Sequence, residues 1–210
     1  MSNAQVKDDL TTGGTVLPIT RWGTSVMHAK TRPVIDFDEE LHQLVRDMWA
    51  TMRAAEGVGL AATQVGVGLA VFVYECPDSD HNIQRGVFCN PQVVLPEGNA
   101  RNLESGDEGC LSHPGGYQTL ARADVATCVG QDAYGNPQEL TGTGYLARCL
   151  QHETDHLNGI VFGDRLSSRA RRKLDKQVAD LAFRYPDDWP ASPKSVATPA
   201  TKAASGAPTS

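Results

Sequence analysis

No run in the 210 residues approaches the roughly 18–20 consecutive apolar residues that a membrane-spanning helix needs, so no helical span is expected. The first nine residues, Met1 to Asp9, have neither a basic region nor an apolar one, and a secretory signal is not expected either. Positive charge is scarce. The 19 Lys and Arg stand against 25 Asp and Glu, a formal net charge of -6, which argues against a DNA binder held by phosphate contacts and leaves room only for a local basic patch. A disulfide framework is missing too. The five cysteines are odd in number and irregularly spaced at 76, 89, 110, 128 and 149, which fits free thiols or metal ligation in a chain without an export signal. No internal repeat is visible. What is present, 40% hydrophobic and 21% charged residues, is the composition of one ordinary globular domain able to bury a core, expected in the cytoplasm.

The first 14 residues are polar and Gly/Thr-rich and read as a flexible arm. Between Phe37 and Ala55, Leu41, Leu44, Val45, Met48 and Met52 recur at helical spacing, one apolar stripe of an amphipathic helix. Asp36 with Glu39 is placed for a capping box, and Gly57 for the helix C-cap. Leu69–Tyr74, Val87–Cys89, Val93–Leu95 and Asp124–Val129 are β-rich runs, with turns expected at Pro77-Asp78, Asn90-Pro91 and Ala133–Pro137. A second helix is expected over Gly144–Leu157, stopped by Asn158-Gly159, and a third, basic on its outer face, over Ser168–Phe183. Short strands with a few helices and no βαβ alternation imply an α+β domain. From Pro190 the composition shifts to proline and alanine, with Val196 the sole large aliphatic residue, so 186–210 are read as a disordered tail and 15–185 as the folded domain.

His152-Glu153-Thr154-Asp155-His156 carries the chemistry. On a helix the four-residue spacing puts both imidazoles on one face, about one turn apart, so that one divalent metal can accept both. Glu153 follows the first imidazole and is placed to act as a general base. A catalytic site needs a third protein ligand. Asp164 is the only acid close downstream and no further histidine follows. Cys110, in Glu108-Gly109-Cys110-Leu111-Ser112, offers a thiolate, with a small buried hydrophobe as its alternative reading. In Gly57-Val58-Gly59-Leu60-Ala61-Ala62-Thr63-Gln64 the small residues permit close backbone approach and Gln64 offers an amide donor, although a plain glycine-rich loop reads the same way.

Taken together, G-x-G-L-A-A-x-Q (Gly57 to Gln64), E-G-C-L-S (Glu108 to Ser112) and Q-H-E-x-D-H-L (Gln151 to Leu157) resemble the three motifs of the peptide deformylase family, in that family's order and at similar separations. The resemblance runs over roughly residues 16 to 184, with no departure at a motif position; His113 stands just after the second motif, where an aliphatic residue is common. It implies short, mostly antiparallel sheets around a central metal-binding helix, with an N-terminal and a C-terminal helix. It implies a hydrolase that removes the formyl group from N-formylmethionyl nascent peptides and releases formate.

By the same resemblance Cys110, His152 and His156 would hold one divalent metal, ferrous iron in the cell with zinc or nickel as substitutes, and Glu153 would shuttle the proton. Gln64 and the Leu111 backbone N–H would polarise the formyl oxygen. Gly57, Val58 and Gly59 would bind the peptide as an added strand, and Val58, Tyr145, Arg148 and Cys149 would line the methionine pocket. Arg148 also reads as a surface cation. Glu108 and Arg122 would form a buried pair behind Cys110, and Asp155 lies on the metal helix with its direction open. Two rivals to this reading are an endopeptidase with the same H-E-x-x-H chemistry and a non-catalytic relative that keeps the metal for structure. The basic run Arg169, Arg171, Arg172, Lys173 and Lys176 reads either as a solvated helix face or as a transient ribosome contact.

Overall fold

A computed structural model of the chain describes residues 9–195. Its helices are α1 (Glu39–Ala54), α2 (Gly144–Leu157) and α3 (Ser168–Leu181). Its strands are β1 (Gly59–Ala61), β2 (Val71–Pro77), β3 (Ile83–Val94), β4 (Leu103–Gly109), β5 (Tyr117–Ala123), β6 (Val125–Gln131) and β7 (Pro137–Thr143). Five strands form one antiparallel sheet in the order β1-β2-β3-β6-β7, and β4 and β5 form a separate hairpin. The fold is α+β.

Strand β2 explains how the layers stack. Its side chains alternate, so Val71 and Val73 enter the core beneath α1 while Phe72, Tyr74 and Cys76 enter the core beneath α2. A strand buried on both faces reads as the continuous apolar run seen in the sequence. The α1 stripe follows the expected spacing, with Leu41, Val45, Met48 and Met52 buried; Trp49 joins them and Leu44 is only partly covered. Each such aliphatic side chain contributes roughly 1.5–3 kcal/mol on burial. Helix α2 packs on the large sheet with one face and reaches β5 with another, which makes it the centre of the molecule.

Local signals were displaced by a residue or two where tertiary contacts compete. The α1 N-cap is Asp38, whose carboxylate accepts from the Leu41 N–H, and not Asp36. The left-handed residue after α1 is Glu56 (φ 58°), not Gly57, and the Gly57 N–H closes the helix onto the Met52 carbonyl. Asn90-Pro91 is not a turn. It lies inside β3, where the register shifts between Cys89 and Gln92 and the Asn90 side chain binds both Val34 N–H and Val34 O. The runs at Val87 and Val93 are therefore one strand. The β4–β5 hairpin was not foreseen, because Leu103–Gly109 has no alternating apolar residues.

Both terminal boundaries need correction. Of the expected 1–14 arm, residues 1–8 lie outside the described residues, but Leu10 is buried in the main core and the Thr11 carbonyl accepts from Arg53. Of the expected 186–210 tail, residues 196–210 lie outside the described residues. The rest packs on the domain: Trp189 is 3% exposed in the main core, its carbonyl accepts from the Ile19 N–H at 2.9 Å, and Lys194 pairs with Glu56 at 2.9 Å. Composition averaged over the proline- and alanine-rich end hid one large aromatic anchor just before it.

Replacing Trp189 with Ala should therefore cost about 3 kcal/mol through the cavity it leaves. For a domain of this size that lowers the melting temperature by about 6–12 °C. An unchanged melting curve would show that the segment does not belong to the folded core.

Candidate active site

The three motifs converge on one cleft of about 240 Å³, lined among others by Gly57, Val58, Gly59, Gln64, Cys110, Leu111, His152 and Glu153. Cys110 follows directly on β4, and His152 and His156 stand one turn apart on α2. Their donor atoms face one another, with His152 Nε2 and His156 Nε2 3.1 Å apart and Cys110 Sγ 3.4 Å from His156 Nε2. A thiol and two imidazoles with all donor atoms within 4.8 Å are a donor set of the kind that suits a divalent transition metal. The imidazoles suit it. Glu108 Oε1 lies 2.8 Å from His152 Nδ1, so that nitrogen carries the hydrogen bond and Nε2 is the ring atom turned into the site. Burial, reinforced by the neighbouring His152, pushes the pKa of His156 well below the usual histidine value, so this ring is a neutral donor.

Behind the ligands lies a buried ion network. Arg122 pairs with Glu108 through both of its oxygens (2.6 and 2.7 Å) and with Asp155 at 2.9 Å, and Arg165 also pairs with Asp155. Burial opposes the charge on Glu108, but the Arg122 and His152 hydrogen bonds outweigh it and hold the carboxyl well below the usual range. Asp155 thus serves the arginines and not an imidazole. Arg148 lines the cleft, but its guanidinium is engaged by Glu108 at 2.9 Å.

Glu153 is 4% exposed and lines the cleft with Cys110 and His152, with Oε2 unpaired. Burial raises its pKa to about 7; Glu108 and Asp155 push the same way, against His152 and Arg122. Its carboxylate lies against Gly59: a Cβ there would stand 2.4 Å from Glu153 Oε1. Gly57 is equally constrained, since its Cβ would stand 2.7 Å from Leu111 Cδ1 across the cleft. Gln64 is fixed at both ends, its Oε1 accepting from the Ala61 N–H at 2.9 Å and its Nε2 donating to Ser112 Oγ at 3.3 Å, with Cys110 Sγ 3.6 Å away. Ser112 was missed by the sequence reading, although it closes the second motif.

Val58 joins the apolar cluster that holds Cys149, and the Cys149 thiol donates to the Val58 carbonyl at 3.6 Å. Tyr145, 49% exposed, stands at the mouth of the cleft, which Trp189 and Lys194 also line. His113, just after the second motif, is buried between Trp22, which it stacks on at 5.2 Å, and Phe162. Arg171 lies over the Trp22 ring at 3.8 Å, so this part of the basic run serves packing.

A family-wide sequence model described as polypeptide deformylase matches residues 16–172. The chain belongs to this family. It is 53% identical over 173 residues to peptide deformylase 1 of Streptomyces avermitilis, covering 82% of this chain and 80% of that one. It is 48% identical over 170 residues to peptide deformylase 2 of Streptomyces coelicolor, covering 81% and 93%. Among solved structures, a peptide deformylase from Legionella pneumophila matches with a TM-score of 0.70 at 41% identity, covering 82% of this chain and all of that one. One from Synechococcus elongatus in complex with actinonin matches with a TM-score of 0.68 at 37% identity, covering 80% and 88%. The protein is accordingly a deformylase, a hydrolase that removes the formyl group from nascent peptides. The endopeptidase and the non-catalytic readings fall away.

The contact between Gly59 and Glu153 makes a specific expectation. Gly59→Ala should displace the carboxylate and lower kcat/KM for formyl-Met-Ala-Ser by about 10²-fold, in line with the cost of a 1 Å misplacement. Metal content should stay at the wild-type level. Gly68→Ala, where nothing lies within 4 Å, is the matched control and should leave the rate unchanged. Equal activity of Gly59→Ala and wild type in a formate-release assay would rule out the assigned carboxylate position.

Proposed function

We propose that Cys110, His152 and His156 hold one divalent metal, ferrous iron in the cell with zinc or nickel as substitutes, and that Glu153 is the proton carrier of deformylation. The observation that carries this reading is the Glu153 carboxylate, buried, unpaired at one oxygen and lining the same cleft as Cys110 and His152. The metal would supply a Lewis acid, which lowers the pKa of water and polarises a carbonyl.

The remaining steps belong to the chain's own side chains. Strand β1 is an edge of the large sheet, so Gly57, Val58 and Gly59 offer the substrate backbone a place as an added strand, with its formyl end beside Glu153. The methionine side chain fits the apolar wall of Val58, Tyr145 and Cys149. Gln64, its amide orientation fixed by Ala61, and the Leu111 backbone N–H polarise the formyl oxygen and stabilise the charge that grows on it. Glu153 accepts a proton from the attacking water and delivers it to the departing amine. The products are formate and a free amino terminus.

The substrates are N-formylmethionyl nascent chains, which places the reaction in the cytoplasm. A transient ribosome contact would use Arg169, Arg172 and Lys173, exposed on α3; Arg171 is held by Trp22 and Asp164, and Lys176 by Asp180.

Glu153→Gln should retain the metal and lose about 10²–10⁴-fold in turnover of formyl-Met-Ala-Ser. Cys110→Ser should lose the metal itself. Elemental analysis beside a formate assay separates the two, and a Glu153→Gln protein that loses its metal, or that keeps full turnover, would contradict the assigned role.

A further inference from the structure

Arg148 stands on α2 one turn before His152, and its surroundings give it a task other than lining a methionine pocket. Its side chain is buried, and its guanidinium meets three acceptors. Nη1 lies 2.9 Å from Glu108 Oε2 and donates to the Leu120 carbonyl at 2.9 Å, while Nη2 donates to the Glu104 carbonyl at 3.0 Å. Those acceptors lie on β4 and β5, so one side chain of α2 grips both strands of the hairpin. Gly106, between Glu104 and Glu108, leaves room for it: a Cβ there would stand 3.0 Å from Nη2.

The metal ligands come from these same two elements. Cys110 is carried at the end of β4 and the histidines by α2, with 41 residues of chain between Cys110 and His152. The apolar cluster that buries Cys110, with Met27, Val161, Phe162 and Leu174, contains no residue of α2, and β4 itself is largely exposed and polar. Arg122 links the elements as well, but it stands on β5 and reaches α2 through Asp155. From α2, His152 bonds only Glu108 of β4 and Gln151 only the Ala123 carbonyl of β5, whereas Arg148 bonds both strands at once.

We propose that Arg148 is a positioning residue that clamps the β4–β5 hairpin to α2 and so sets the separation of Cys110 Sγ from the two imidazoles. The inference rests on the ligand set proposed above. The planar fork of arginine is required, since lysine supplies the charge but cannot reach three acceptors in fixed directions.

Cobalt(II) tests this directly, because a thiolate bound to cobalt gives a charge-transfer band that reports the sulfur–metal geometry whether or not the protein turns over. Wild type, Arg148→Lys, Arg148→Leu and Glu153→Gln are loaded with cobalt, and metal affinity is measured by competition with a chelator. Wild type and Glu153→Gln should show the thiolate band. Arg148→Leu should bind metal about 10–100-fold more weakly, as expected when support behind a ligand is removed, with the band weakened or shifted. Arg148→Lys should fall between, and should decide the question alone if the leucine variant does not fold. KM for formyl-Met-Ala-Ser, measured with metal saturating, should stay within about twofold of wild type.

Unchanged affinity and band with only a lower melting temperature would overturn the proposal, leaving Arg148 a purely structural residue. A raised KM with unchanged affinity would overturn it in favour of the methionine pocket. A wild-type protein that deformylates but shows no thiolate band would overturn the ligand set and this inference with it. An inactive wild type with a normal band, beside an Arg148→Leu variant whose band and affinity are disturbed, would count against the proposed mechanism and leave the clamp standing.

Discussion

The Glu108 carboxylate is 5% exposed, and an isolated ion at that depth would cost several kcal/mol in lost hydration. It is tolerable only because Arg122, Arg148 and His152 all bond to it, and Arg122 in turn holds Asp155. These partners come from β5 and α2, while Glu108 itself is on β4. The network is therefore the joint between the hairpin and the central helix. Removing one member strands a buried charge, typically at a cost of about 3–5 kcal/mol, so the elements are held together by a penalty for separation more than by apolar area. Cys110, two residues from Glu108, inherits its position from that joint.

The same carboxylate sets the electrostatics of the site. By bonding to His152 Nδ1 it leaves Nε2 as the ring atom turned into the site. It also adds to the unfavourable field at Glu153, whose pKa burial has already raised. Two acids thus have opposite roles within one helix turn of His152. Glu108, surrounded by donors, stays ionised, and Glu153, with one oxygen unpaired, is poised to exchange a proton. The free edge of β1 and the absent side chains of Gly57 and Gly59 then bring a peptide backbone against that second acid.

What could be read from the sequence follows from where the physics is local. Helix α2 runs over Gly144–Leu157 as expected, because its stop is written in Asn158-Gly159 and its apolar positions follow one period. The α1 stripe was legible for the same reason. The N-cap moved from Asp36 to Asp38 because either carboxylate can cap and the packing of Leu41 chooses the register. The β4–β5 hairpin was illegible. Leu103-Glu104-Ser105-Gly106-Asp107-Glu108-Gly109 has no apolar alternation, and its strand character comes from pairing with β5 and from arginines 14 and 40 residues away from Glu108. The buried end of the chain was illegible too, since Trp189 finds its place in the core cluster that also holds the α1 stripe, with its carbonyl on the Ile19 N–H and its ring against Tyr185.

His152, Glu153 and His156 stood out as a candidate site from residue type and spacing, because an i, i+4 pair of imidazoles on a helix faces one point whatever surrounds it, while Cys110 was assigned as a ligand only by the family resemblance. Gln64 and the glycines were legible only in combination with those residues. The direction of each supporting side chain was decided by the tertiary structure alone. Asp155 could have oriented a histidine and instead pairs with Arg122 and Arg165, and Arg148 could have faced substrate and instead grips Glu108 and two hairpin carbonyls. The physical reason is that a buried charge takes the partner that the fold brings within about 3 Å, and those partners lie on strands tens of residues away. Local spacing determines which groups can share a metal; long-range packing determines which charges must share a proton or an ion pair.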